Sequence, residues 1–152
     1  MSDQYVIALG RVCMDEYYET DEWPSMGEKK FVRPMETKVG GMIANAASVL
    51  AGYGVKVFFL DLLPKYSGAT ELALEDLKNY FVETNLIQFD STITDTKCMI
   101  FLSKGERVIC ITDVKRPKIA LNPDALELLL NATYLYSTIP DLQELKDCEK
   151  IL

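Results

Sequence analysis

Three stretches between Tyr5 and Leu63 constrain the fold more than the rest of the chain. YVIALG, Tyr5–Gly10, is a short apolar run ending in glycine. Gly40 and Gly41 open a segment of small residues, MIANAASVLAG, and VKVFFLDLL, Val55–Leu63, is a second apolar run. Apolar runs of this length read as strands buried on both faces, the pattern of parallel sheets. A helix between two such strands reads as a βαβ crossover and commits the chain to an α/β architecture. Ala44, Ala47, Ser48 and Ala51 let that helix lie close on the sheet, and Gly52 and Gly54 stop it.

The remaining elements follow from turn and cap signals. RVCMDEYYETDEWPSMGEKK reads as a polar, aromatic connection with turns at Pro24 and Gly27. Phe31–Val39 alternates, and Pro34 makes it an edge or lid strand. Ser67 is an N-cap for a helix reaching about Phe81. Lys97–Leu102 and Arg107–Thr112 flank a turn at Lys104–Gly105–Glu106, a hairpin whose strands are apolar on both faces and are expected to be covered on both. Asn122 before Pro123 starts a helix to about Asn131. Thr133–Ile139 is a further strand, and Asp141 caps a last amphipathic helix with Leu142, Leu145 and Cys148 inward. No repeat or linker interrupts the 152 residues, and the chain stops inside or just after that helix. One domain of this size buries roughly 68–70% of its unfolded surface.

The formal net charge of −7 argues against nucleic acid as a partner. The densest basic cluster, Lys115, Arg116 and Lys118, reads as a solvated turn around Pro117. No apolar run is long enough to span a membrane, and the N-terminus carries no secretory signal. The cysteines, Cys13, Cys98, Cys110 and Cys148, form no C-x-x-C pair, and histidine is absent. A structural zinc site would need all four distant thiolates, so no metal site is expected. Cys98 and Cys110 lie in apolar strand patterns and read as reduced, buried core thiols, which fits a cytoplasmic protein. Without histidine, Ser-His and Cys-His nucleophile pairs are excluded.

The glycine pair matches no nucleotide-binding pattern. G-x-G-x-x-G fails around Gly40 and Gly41, GYGVKV puts Val57 at the third glycine position, and no Walker A loop occurs. What remains is Gly40–Gly41 before a helix, Asn45 inside its first turn and a half, and Asp15 five residues after Gly10. In open α/β sheets, ligands bind beyond the carboxyl ends of the strands. If the two strands are neighbours, Asp15 and Asn45 converge there. A carboxylate that accepts and an amide that does both suit a polyhydroxyl ligand. A tight turn, a helix-start residue and a solvated loop charge account for the same residues, and the residues alone leave both readings open.

GRVCMD (Gly10–Asp15), PSMGE (Pro24–Glu28), GGMIAN (Gly40–Asn45) and TKCMIFLSKGERVI (Thr96–Ile109), in this order, resemble the N-terminal half of the ribokinase-like, PfkB-type carbohydrate kinases. The resemblance covers essentially the whole chain, residues 1–152. It implies a Rossmann-like three-layer α/β/α parallel sheet with a small β-lid, from about 12–39 and 97–112. It implies that Asp15, Gly40, Gly41 and Asn45 contact the hydroxyls of a sugar or sugar-like molecule. The implied reaction transfers the γ-phosphoryl of ATP to a substrate hydroxyl. In the family, ATP and Mg2+ bind mainly through the C-terminal half, which also carries the catalytic aspartate in a G-A-G-D motif. None of these is in this chain, so no catalytic, cofactor-binding or metal residue is assigned and the chain alone is expected to be inactive. Relatives often dimerise through the lid.

The chain departs from the family in LPKYSG, where Leu63 and Lys65 replace a glycine and an aspartate, and at Cys13, where some relatives carry an asparagine. Pro140 and Asp141 fall near a position from which relatives contact the sugar. Two other readings stand beside the kinase. One is a non-catalytic sugar-binding or dimerising module from a truncated kinase gene. The other is a generic α/β domain with a structural glycine turn. Tyr17, Tyr18 and Trp23 read as packing within the lid or an interface, or as a stacking surface for a sugar.

Overall fold

The computed structural model describes residues 4–151, apart from the side chain of Lys150. The elements are β1 (Val6–Leu9), β2 (Cys13–Glu19), β3 (Arg33–Gly40), α1 (Met42–Gly52), β4 (Val57–Leu60), β5 (Leu62–Pro64), α2 (Gly68–Asn79), β6 (Gln88–Asp90), β7 (Lys97–Ser103), β8 (Glu106–Ile111), α3 (Pro123–Leu130), β9 (Tyr134–Ser137), α4 (Ile139–Leu142) and α5 (Cys148–Ile151).

β1 is the centre of a parallel sheet ordered β4-β1-β9, with Val6 opposite Val57 on one side and Tyr134 on the other. Alternation along the strands divides the core in two. Val6, Ala8, Val57 and Phe59 face one way and pack with Ile43, Ala44, Ala47 and Ala51 of α1 and Ala73 and Leu77 of α2. Ile7, Leu9, Phe58 and Leu60 face the other way and pack with Ala125 and Leu129 of α3 and with Ile119 and Leu145. Successive side chains on a strand point to opposite faces, so a run apolar at every position needs helices on both sides. The result is the three-layer α/β/α arrangement that the sequence implied. α1 lies close because its inner face is alanine, and because Gly10 has no Cβ, which would stand 2.5 Å from Ile43 Cβ.

A second sheet, ordered β3-β2-β7-β8, is built from the two segments expected to form the lid. β2 runs antiparallel to β3 and parallel to β7, and β7 and β8 form the hairpin. Pro34 lies on the outer strand β3, where a missing N–H disturbs no inner ladder.

Several expectations are corrected. Residues 13–19 are a strand rather than a connection, because pairing on both sides outweighs their polar composition. The run Val55–Leu63 breaks at Asp61 into β4 and β5, and β5 pairs with β6. β8 is exposed at every position, so it is not covered on both faces, and Cys110 is exposed rather than a core thiol. The last amphipathic helix is two single turns, α4 and α5, and the N-cap of α4 is Thr138, whose hydroxyl accepts from the Asp141 N–H. Arg116 is not in a solvated turn; its side chain is 4% exposed.

Candidate functional site

The carboxyl end of β1 leads through Gly10–Val12 into β2, and β3 returns to α1 through Gly40–Gly41. Asp15 therefore sits on β2, with Lys38 opposite it on β3 and Cys98 opposite it on β7. Its carboxylate leans over Gly40, where an added Cβ would stand 2.2 Å from Oδ2. Gly40 is the residue whose missing side chain makes room for the acid. Gly41 answers a different need. Its φ is +112°, and an added Cβ would meet the Arg11 carbonyl oxygen at 2.3 Å, so the turn is closed against the β1–β2 connection. Gly41 is also the N-cap of α1 and offers no side chain to it. The first-turn N–H groups that a cap would satisfy are left for water or a ligand.

Asn45 lies one turn into α1. Its N–H donates to the Gly41 carbonyl at 2.9 Å. It lines an open groove of about 920 Å³ with Met14, Lys38, Val39, Ser48 and residues of α2. The structure thus joins Asp15, Gly40 and Gly41 at one junction. Asn45 lies on the adjoining groove, which shares Met14, Lys38 and Val39 with the strands that carry that junction.

On the sheet face that carries Asp15, the Cys13 thiol donates to Asp15 Oδ1 at 3.2 Å, and the Cys98 thiol donates to Cys13 Sγ at 3.4 Å. Burial pushes the Cys13 thiol up, and the bonds to Cys98 and Asp15 push the same way. Burial is also the main cause that raises Cys98. Two of the four cysteines are therefore neighbours, not the distant set that their sequence positions imply.

Beneath the junction lies a buried charge network that the residue pattern did not reveal. Asp61, between β4 and β5, accepts from the Val12 N–H at 2.9 Å, the Leu62 N–H at 2.7 Å and Arg116 Nη2 at 2.5 Å. Arg116 Nη2 also reaches Glu144 at 3.4 Å, and Arg11 Nε donates to Glu144 at 2.9 Å. Burial pushes the Asp61 carboxyl up to about 6, against the pull of Arg116 and the two amides. The network fastens the β1–β2 connection to the end of β4. One signal for it was present: a lone acid inside VKVFFLDLL cannot be buried without a partner.

A parallel sheet between helical layers, with a small sheet at the carboxyl end of its central strand, is the architecture of the ribokinase-like proteins. The profile of the pfkB family carbohydrate kinases matches residues 3–146, and the chain belongs to that family. Its fold is similar to Arabidopsis thaliana ribokinase, solved with ribose and ATP, at TM-score 0.79 and 22% identity, covering 98% of this chain and 48% of that one. It is also similar to ribokinase from Cryptococcus neoformans, solved with ADP, at TM-score 0.72 and 19% identity, covering 88% and 42%. Giardia lamblia ribokinase is similar at TM-score 0.71 and 17% identity, covering 99% and 48%. No curated protein sequence matches the chain significantly. The chain spans about half the length of these solved relatives. No helix among the described residues is long and apolar enough to cross a membrane.

Proposed function

We propose that this chain is the acceptor-binding portion of an ATP-dependent, cytoplasmic kinase of a sugar or a related polyhydroxyl molecule. One observation carries the reading: Asp15 is held over side-chain-free Gly40, beside an uncapped helix N-terminus, past the carboxyl end of the central strand. Asp15 accepts hydrogen bonds from substrate hydroxyls, the Asn45 amide donates and accepts, and Gly40 and Gly41 let the substrate approach backbone. The β3-β2-β7-β8 sheet serves as the lid that excludes water from the bound acceptor. The solved relatives crystallised with ribose, ATP or ADP support the substrate class and the phosphoryl donor.

The residues described here do not fit the donor side. Their close three-ligand grouping is Cys13, Asp15 and Cys98, whose two sulfurs do not suit Mg2+, a cation that takes oxygen ligands. No phosphate-binding glycine loop occurs in the sequence. These residues supply only the acceptor side, and by itself the chain turns over no ATP.

Calorimetry of the purified chain against pentoses, hexoses and nucleosides tests the reading. Saturable binding of at least one of them is expected, with its loss in Asp15→Ala and Asn45→Ala. Binding unchanged in both variants would remove the assigned site. Sugar-dependent ADP production by the 152-residue chain would refute its inactivity.

A further inference from the structure

We propose that Cys13, Cys98 and Asp15 form a binding site for a thiophilic divalent cation, Zn2+ above all, with a fourth position open to water or a hydroxyl. Their ligand atoms all lie within 4.8 Å of one another. The Sγ atoms are 3.4 Å apart, and Cys13 Sγ is 3.2 Å from Asp15 Oδ1. A tetrahedral zinc with bonds of about 2.3 Å to sulfur and about 2.0 Å to oxygen needs edges of about 3.8 Å and about 3.5 Å. Rotamer adjustments of a few tenths of an ångström open the cluster to that size.

The backbone sets the cluster. Cys13 and Asp15 are two residues apart on β2 and so share a face, and Cys98 is the β7 partner of Asp15. The third neighbour, Gly40, pairs with Cys13 from β3 and contributes no side chain to fill the space. Lys38, opposite Asp15, is bonded to Glu36 at 2.8 Å. The donor set also selects the cation. Two sulfurs and one carboxylate favour zinc over Mg2+ or Ca2+, which take oxygen. No third thiol completes the sphere: Ile111 is the β8 partner of Cys98, which turns Cys110 to the opposite face, and Cys148 belongs to α5. Three protein ligands and one open position is the arrangement of zinc sites that exchange a ligand. The cation replaces two thiol protons and takes an oxygen of Asp15, so it competes with any hydroxyl ligand for that residue.

The test titrates the reduced chain with Co2+ and then displaces it with Zn2+. One cobalt per chain is expected, with a sulfur-to-cobalt charge-transfer band and the strong visible bands of a tetrahedral site, abolished by one equivalent of zinc. Cys98→Ser and Asp15→Asn are expected to weaken uptake by about 100-fold or more, beyond the loss typical of ligands' supporting residues. Cys110→Ser and Cys148→Ser leave it unchanged. A wild-type chain without the charge-transfer band at stoichiometric cobalt overturns the proposal, whatever the variants do. Equal loss in the Cys110 or Cys148 variants overturns it too. Neither readout involves a sugar, so failure of the acceptor reading leaves this result intact.

Discussion

At Gly40, a methyl group would collide with the Asp15 carboxylate; at Gly41, it would collide with the Arg11 backbone. The two glycines of one motif are thus required for different reasons, and their alanine variants should separate. Gly40→Ala is expected to displace Asp15, abolish acceptor binding and cost about 1–3 kcal/mol, a typical overpacking penalty. Gly41→Ala is expected to cost more, because its φ of +112° disfavours any side chain and the Arg11 carbonyl cannot swing away. Urea denaturation and calorimetry of both variants check this order; equal stability losses would contradict it. Asp61 supplies a pH signature. Burial holds its carboxyl at about 6 in the folded chain, above the ordinary aspartate range of about 3.9, so the folded chain binds this proton more tightly than the unfolded chain. Its contribution to stability is therefore fully present below about pH 4 and is lost as the pH rises through about 6. Unfolding of wild type and Asp61→Asn across that range should show the wild type losing ground; a constant difference would contradict it.

The starts of α2 and α3 were the most legible features at the scale of elements. Ser67 accepts from the N–H groups of Ala69 and Thr70 while its hydroxyl donates to Asp95, and Asn122 accepts from the Ala125 N–H. A cap is a local interaction within four residues, so its signal survives without tertiary context. Ser67→Ala is expected to cost about 1 kcal/mol, measured by chemical denaturation, with no change in acceptor or metal binding. β2 was not legible, because CMDEYYE carries charged and polar side chains on a strand whose stability comes from β3 and β7 on either side. At Asp61 the lone acid in an apolar run signalled a buried partner, but not which one, since Arg116 lies 55 residues away. The residues proposed for the acceptor site stood out by motif, but the cysteine pair did not, because only the β2–β7 register places residues 13 and 98 together.

At the scale of the whole molecule, the small sheet is one of the surfaces left bare. β8 is its outer strand and exposes Val108, Ile109 and Ile111, while Phe31 and Met35 are exposed at the other edge. An uncovered, partly apolar sheet edge invites pairing with another chain. We expect a homodimer through this sheet. Val108→Lys, on the face opposite Cys98 and Asp15, should shift the chain toward monomer in sedimentation analysis without loss of secondary structure. A wild-type chain that remains monomeric at all concentrations would rule the interface out. The sequence by itself determined the layered α/β architecture, the caps at Ser67 and Asn122 and the glycine turn, because periodicity, local hydrogen bonding and backbone freedom are written within a few residues. Only the tertiary structure decided that Asp15 belongs to a strand, that Arg116 is buried on Asp61 and that Cys13 meets Cys98. Those outcomes depend on strand register and on burial of charge, and neither is a property of any short segment.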